Sequence, residues 1–161
     1  MGSWADFFTA ELGAAAALTG LVIVGISINV TRILSDVALP GRAVETLVLP
    51  TGLLVISTCA LAPQQPAWLL GLEIALAGVT MWLVPVYIQF RALSRKAGNI
   101  GPVGGVPRVL LALFSSWPFI ICGILLFLGT EGALYWSVMG MVISLIATVI
   151  NAWVLLVEIL R

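Results

Sequence analysis

Residues 109–157 read VLLALFSSWPFIICGILLFL-GTEG-ALYWSVMGMVISLIATVINAWVLLV, two long apolar runs joined by four turn-forming residues. Glu131 is the only charged side chain in the stretch. At about 1.5 Å of rise per residue, either run crosses a hydrocarbon layer of ~30 Å as a helix. Lipid offers backbone groups no hydrogen-bond partners, so a helical hairpin is the reading that satisfies them.

Three further runs precede this hairpin. The expected spans are residues 7–31, 44–62, 67–90, 109–128 and 133–157. Five spans are too few to close a β-barrel, so the fold class is an all-α integral membrane protein. All of residues 1–161 should belong to a single transmembrane helical bundle. Ser3-Trp4-Ala5-Asp6 resembles a capping box, with Ser3 as N-cap and Asp6 at N3. No Lys or Arg precedes the first run, and the run is too long for a signal-peptide core, which favours an uncleaved span. Pro63-Gln64-Gln65-Pro66 stops the second run, and Pro66 is expected at the first helical position of the third, where a missing N–H costs nothing. The Gly/Pro-rich segment 97–107 reads as an irregular loop.

Charge orients this topology. All seven bases, Arg32, Arg42, Arg91, Arg95, Lys96, Arg108 and Arg161, fall on one side of a five-span fold. Lys and Arg resist translocation, so that side is cytoplasmic, with the N-terminus outside and the C-terminus inside. The outer side carries Asp6, Glu11, Glu73 and Glu131. Net charge is zero overall, yet about −4 lies outside and about +4 inside. Trp4, Phe7, Phe8, Trp68, Tyr135 and Trp136 fall at the outer boundary and Trp153 at the inner one, as an aromatic belt does. With 61% hydrophobic residues, 9% charged and a mean hydropathy of +1.19, the composition agrees. Size and composition match a small protein of a bacterial cytoplasmic (inner) membrane.

Polar residues inside the spans form stripes. In span five, Ser137, Ser144, Asn151 and Glu158 recur every seven residues, with Gly140 and Ala147 between them. Seven residues is nearly two turns, so these positions share a face. Span three repeats the pattern with Glu73, Thr80, Tyr87 and Ser94, interleaved with Ala77, Val84 and Arg91. In span one, Glu11 and Asn29 stand five turns apart, near the meridian of Leu18, Val22 and Gly25. Packing accounts for the small and hydroxylated members, because such residues let membrane helices approach and exchange hydrogen bonds of about 0.6 kcal/mol. The block Gly13-Ala14-Ala15-Ala16-Ala17, with Gly20, fits the same use.

Glu11 and Glu73 ask for more. Both should lie about 7–10 Å below the outer ends of their helices. An intramembrane carboxylate costs about 2.5–3.5 kcal/mol against lipid, and the outer side offers no base as partner. Each must be hydrated, protonated, bonded to hydroxyls or facing a cation, or else reach up to the headgroups. At the inner end Arg32–Glu45 and Arg91–Glu158 are expected to pair, while Asn29 and Asn151 would form a neutral polar constriction if they face water. Pro50, Pro85 and Pro118 lie inside spans, where each removes a helical hydrogen bond. Ser115 and Ser116 stand ready to repair the last of these gaps.

Absences narrow the chemistry. The chain has no His, and Cys59 and Cys122 are far from CxxC spacing, so no metal site, cofactor or structural disulfide is expected. No motif of a hydrolase, zinc protease or P-loop enzyme occurs, and an enzyme is not expected. The basic stretch 91–108 reads as a topology determinant on anionic lipid, not a nucleic-acid site. The favoured function is a homo-oligomeric channel or passive transport unit for cations with an acidic outer mouth. Its path candidates are Glu11, Glu73, Thr80, Asn29, Ser144 and Asn151. The alternative is a non-transporting accessory or modulator subunit whose polar seams grip the helices of a larger membrane complex.

Overall fold

The computed structural model describes the backbone of residues 2–36, 39–94 and 106–160, and within these the side chains of 4–36, 39–91 and 109–157. Among the described residues there are only helices, turns and bends. The helices are α1 (Gly2–Ile28), α2 (Val30–Ser35), α3 (Leu39–Ala60), α4 (Ala67–Ser94), α5 (Val106–Phe127) and α6 (Leu134–Leu160). Five of the six, all but α2, are long and apolar enough to cross a membrane. Their outward surface carries large apolar side chains such as Leu21, Phe90 and Phe114, which are 71%, 71% and 63% exposed. Patches of this extent are foreign to a soluble monomer and suited to lipid.

The helix ends follow local chemistry. α1 begins at Gly2, one residue ahead of the expected cap position Ser3, whose backbone lies within the first turn. At the other end the expected span 7–31 is interrupted: Asn29 leaves the helical ladder and its Nδ2 donates to the Gly25 carbonyl (2.9 Å). Its own carbonyl accepts from Ile33 N–H (2.9 Å), which starts α2. α3 begins at Leu39, five residues before the expected start, because Pro40 is tolerated in a first helical turn. Pro66 sits one residue before α4, where its carbonyl accepts from Leu70 N–H (3.2 Å). α5 ends in a Schellman turn: Gly129 adopts φ +71°, Thr130 N–H reaches Leu125 O (2.9 Å) and Gly129 N–H reaches Leu126 O (3.0 Å). α5 already starts at Val106, so the last two residues of segment 97–107 are helical. The rest of that segment lies outside the described residues.

The four helices α3, α4, α5 and α6 pack in a ring, each against the next, with α6 returning to α3. Phe119 of α5 lies fully buried at its centre. Gly78 of α4 sits against its Cβ, and Gly140 of α6 offers its ring a seat that a methyl group would fill at 2.8 Å. Without a hydrophobic force between helices in lipid, such close approach is what holds a bundle together. The tightest seam joins α4 and α5, where Gly71 and Gly123 face each other. A Cβ on Gly123 would stand 2.5 Å from the Gly71 carbonyl oxygen. Ile56, Leu53, Ile74, Met81 and Met141 complete the core.

α1 is peripheral. Only 11% of its spanning stretch is buried, against 33–44% in the others, and it packs mainly on α3 and lightly on α6. Trp4 meets Tyr135 edge-on at 5.2 Å, and Gly25 approaches Leu156, so α1 and α6 run parallel. Trp4, Phe7 and Phe8 form one aromatic group beside the turns 61–66 and 128–133. Arg32, Arg42 and Arg91 gather at the opposite end, where Gly41 meets Ile88 and where Ile33, Leu39, Ala43 and Leu155 form a second small core. The bundle thus has a turn end and an arginine end.

Candidate functional site

Glu73 lies in the second turn of α4 and is held there by the turn before it. Leu61 N–H and Ala62 N–H close the end of α3 on the Ser57 and Cys59 carbonyls (3.2 and 3.0 Å). Pro63 then forbids continuation, and Gln64 turns the chain with φ +55°. This folds Gln65 back over α4, where its Nε2 donates to Glu73 Oε2 (2.5 Å). Cys59 of α3 lines the same groove as this carboxylate. A carboxylate has about four lone-pair sites, so the Gln65 amide leaves acceptor capacity unused. Among the described residues no basic side chain stands near it, since Arg32, Arg42 and Arg91 are at the arginine end.

Glu73 opens onto a groove of about 560 Å³ between α3 and α4, on the outside of the bundle. Val44, Val48, Thr51 and Val55 form one wall, and Leu76, Thr80 and Val84 the other. Gly52 and Met81 make the floor, with Met81 Sδ filling the space that a side chain at 52 would need. From Glu73 to Val84 the groove runs about 16 Å along the helix. Thr80 is exposed in it, and its hydroxyl donates to the Ala77 carbonyl (2.8 Å).

The other path candidates lie elsewhere. Glu11 does share a face with Asn29: Trp4, Phe8, Glu11, Ala15, Leu18, Val22, Gly25 and Asn29 alternate at spacings of four and three, and all are buried or half-buried. This face turns to α3 and α6, and Glu11 Oε2 is buried there without a hydrogen-bond partner. Glu11 and Glu73 therefore occupy different seams of α3 and do not share one mouth. Ser144 is fully buried in the α5–α6 seam, where its hydroxyl donates to the Ser115 carbonyl (3.2 Å) and Thr148 donates to the Ser144 carbonyl (2.7 Å). The stripe Ser137, Gly140, Ser144 and Ala147 is wholly buried, which is the packing use. Asn151 follows half-buried. Tyr87, by contrast, is 63% exposed on the groove side of α4, beyond Thr80.

At the arginine end, Arg32 and Arg91 project outward and are exposed, while Glu45 is half-buried and has a partner. The side chain of Glu158, and that of Ser94, lie outside the described residues. Ser115 and Ser116 donate to Leu111 and Ala112 (both 2.7 Å). They thus leave alone the Phe114 carbonyl that Pro118 orphans, so the expected repair is not made by these hydroxyls. Cys59 and Cys122 are free thiols, the first half-buried and the second buried. Among the described residues no three His, Cys, Asp or Glu side chains come together to hold a metal ion.

Gln65 and Cys59 are the site residues that the stripe pattern misses. One lies in a turn and the other on a different helix, so helical periodicity cannot link them to Glu73. The one local signal is a polar Gln-Gln pair immediately ahead of a helix that carries a carboxylate. Compared with known proteins, the chain matches no family model, no curated protein and no solved structure.

Proposed function

We propose that this chain is a homo-oligomeric channel or passive transport unit for cations, with no catalytic role, and that Glu73 is the carboxylate the cation meets. The observation that carries this reading is a carboxylate lining an outward-opening groove with no basic side chain near it among the described residues. A charge that faces lipid is costly, the more so the deeper it lies, and Thr80 and Tyr87 continue the polar side below Glu73. Covering that side with further copies around a hydrated path removes the cost, and closed symmetry is the usual solution for small chains. The described bases at one end support an orientation with the arginine end in the cytoplasm and the turn end, with Glu73, outside. The corresponding location is a bacterial cytoplasmic membrane.

α1 supplies a surface for self-association. Asp6, Ala10, Gly13, Ala17, Gly20, Val24 and Ser27 alternate along its exposed side, directly opposite the face packed on α3. Nothing lies within 4 Å of where a Cβ on Gly13 or Gly20 would stand. Small residues at this spacing suit a helix–helix seam better than a lipid surface. The same face would serve the second reading, an accessory subunit that grips the helix of a different membrane protein.

Flux through liposomes separates the two. Purified wild-type protein should conduct K⁺ or Na⁺, and Glu73→Gln should lower that flux roughly tenfold, the equivalent of about 1.4 kcal/mol. Glu11→Gln, in the separate α1–α3 seam, should change it little. Absence of flux from correctly folded wild-type protein defeats the transport reading and leaves the accessory one.

A further inference from the structure

We propose that the α3–α4 groove binds amphipathic organic cations, with the cationic head at Glu73 and an apolar body laid along Thr51, Val55, Leu76 and Thr80 toward Val84. This rests on the reading of Glu73 as a cation-facing carboxylate and names the class of cation it takes.

Size and wall chemistry decide between a bare ion and an organic one. A groove of about 560 Å³ falls within the range of roughly 300–1,000 Å³ found for organic ligands. A dehydrated inorganic cation needs some six oxygen ligands. The groove offers one carboxylate and two threonine hydroxyls, and that of Thr80 already donates to its own backbone. Apart from the Cys59 thiol, the rest of the lining is apolar. Such a lining solvates a hydrocarbon or aromatic body, and offers a bare ion too few oxygens to replace its water.

Charge selects the sign. Glu73 is held in place by the Gln65 amide, keeps unused acceptor capacity and has no basic neighbour among the described residues. An anion or a zwitterion would bring a negative group beside it, so the ligand is a cation without a phosphate. The axis of the groove fits the way such molecules lie in a leaflet. Glu73 is about 9 Å along α4 from its start, near headgroup depth, and the apolar part runs on toward mid-membrane. A cation already partitioned into lipid, head outward, slides sideways into the groove without inverting. Met81 makes the floor, and its flexible thioether adapts to bodies of different shape.

The test is equilibrium dialysis of the full chain in neutral detergent, with empty micelles as blank. Decyltrimethylammonium is the probe, and decyl sulfate its counterpart of like length and opposite charge. Saturable binding of the cation is expected, with decyl sulfate failing to compete. Glu73→Gln should weaken binding roughly tenfold or more, a loss of one favourable charge contact, while Glu73→Asp retains most of it. Val55→Trp, which fills the groove from an exposed position, should weaken binding without lowering the melting temperature. Equal binding of both ions, or Glu73→Gln binding as wild type, overturns the proposal. Binding without K⁺ flux in liposomes upholds the groove and defeats inorganic-ion conduction. Flux without binding overturns the groove alone.

Discussion

Replacing Gly123 by Ala should open the bundle at its tightest seam. The added methyl would stand 2.5 Å from the Gly71 carbonyl oxygen, 2.6 Å from Ala75 Cβ and 2.7 Å from Ala75 N. Two of these are backbone atoms of α4, so no rotamer change relieves the clash. Carbon contacts are comfortable at about 3.5–4.0 Å, which forces α4 and α5 apart by about 1 Å, and a gap of that size forfeits a quarter to a half of each dispersion contact across the seam. Overpacking of this kind costs about 1–3 kcal/mol, with the upper end appropriate where backbone must move. Ala gains about 1 kcal/mol over Gly in a helix interior, so the steric cost wins and leaves a net loss of about 2 kcal/mol. Titration of the protein from mild detergent into dodecyl sulfate, followed by the fluorescence of its six Trp residues, reads this difference. Gly13→Ala is the control of opposite sign, because its Cβ meets nothing within 4 Å, and it should gain up to about 1 kcal/mol. A Gly123→Ala protein as stable as wild type would show that these two helices do not cross here.

Substituting both Gly13 and Gly20 by Leu should leave the unfolding midpoint of the protomer near wild type but shift the assembly toward monomer. Sedimentation or light scattering in detergent measures this, and an unchanged assembly would remove α1 as the contact. Ser144→Ala should cost about 0.6 kcal/mol, the average for an interhelical hydrogen bond in a membrane bundle, without altering cation flux. A large loss of flux at normal stability would return Ser144 to the conducting path.

The spans were legible because each is a long apolar run bounded by Pro, Gly or charge, and neither Pro nor charge is tolerated cheaply at those places. The stripes were legible too, but not their meaning. On α6 the stripe is buried glue around the Phe119 ring. On α4 it edges a groove on the outside. In lipid both faces of a helix are apolar, so hydrophobic periodicity does not tell inside from outside, and α1 is nearly as apolar on its exposed face as on its buried one. Glycine told more: Gly71, Gly78, Gly123 and Gly140 mark the closest crossings in the ring. Helix neighbours were beyond reach, since nothing in the order of the spans says that α3 touches α1, α4 and α6. The separation of Glu11 from Glu73 follows from that arrangement. The break at Asn29 was hidden because an amide that turns back on its own helix looks, in sequence, like one that faces a path.

The transport reading depends on the turn end, with Glu73, lying outside the cytoplasm. Thiol labelling of intact cells with a membrane-impermeant maleimide addresses this most directly, in a protein whose Cys59 and Cys122 are replaced by Ala. A cysteine at exposed position 64, in the turn beside Glu73, should label, and one at exposed position 36, at the arginine end, should label only after the membrane is opened. Labelling of position 36 but not 64 in intact cells would invert the molecule and place the carboxylate on the wrong side of the membrane.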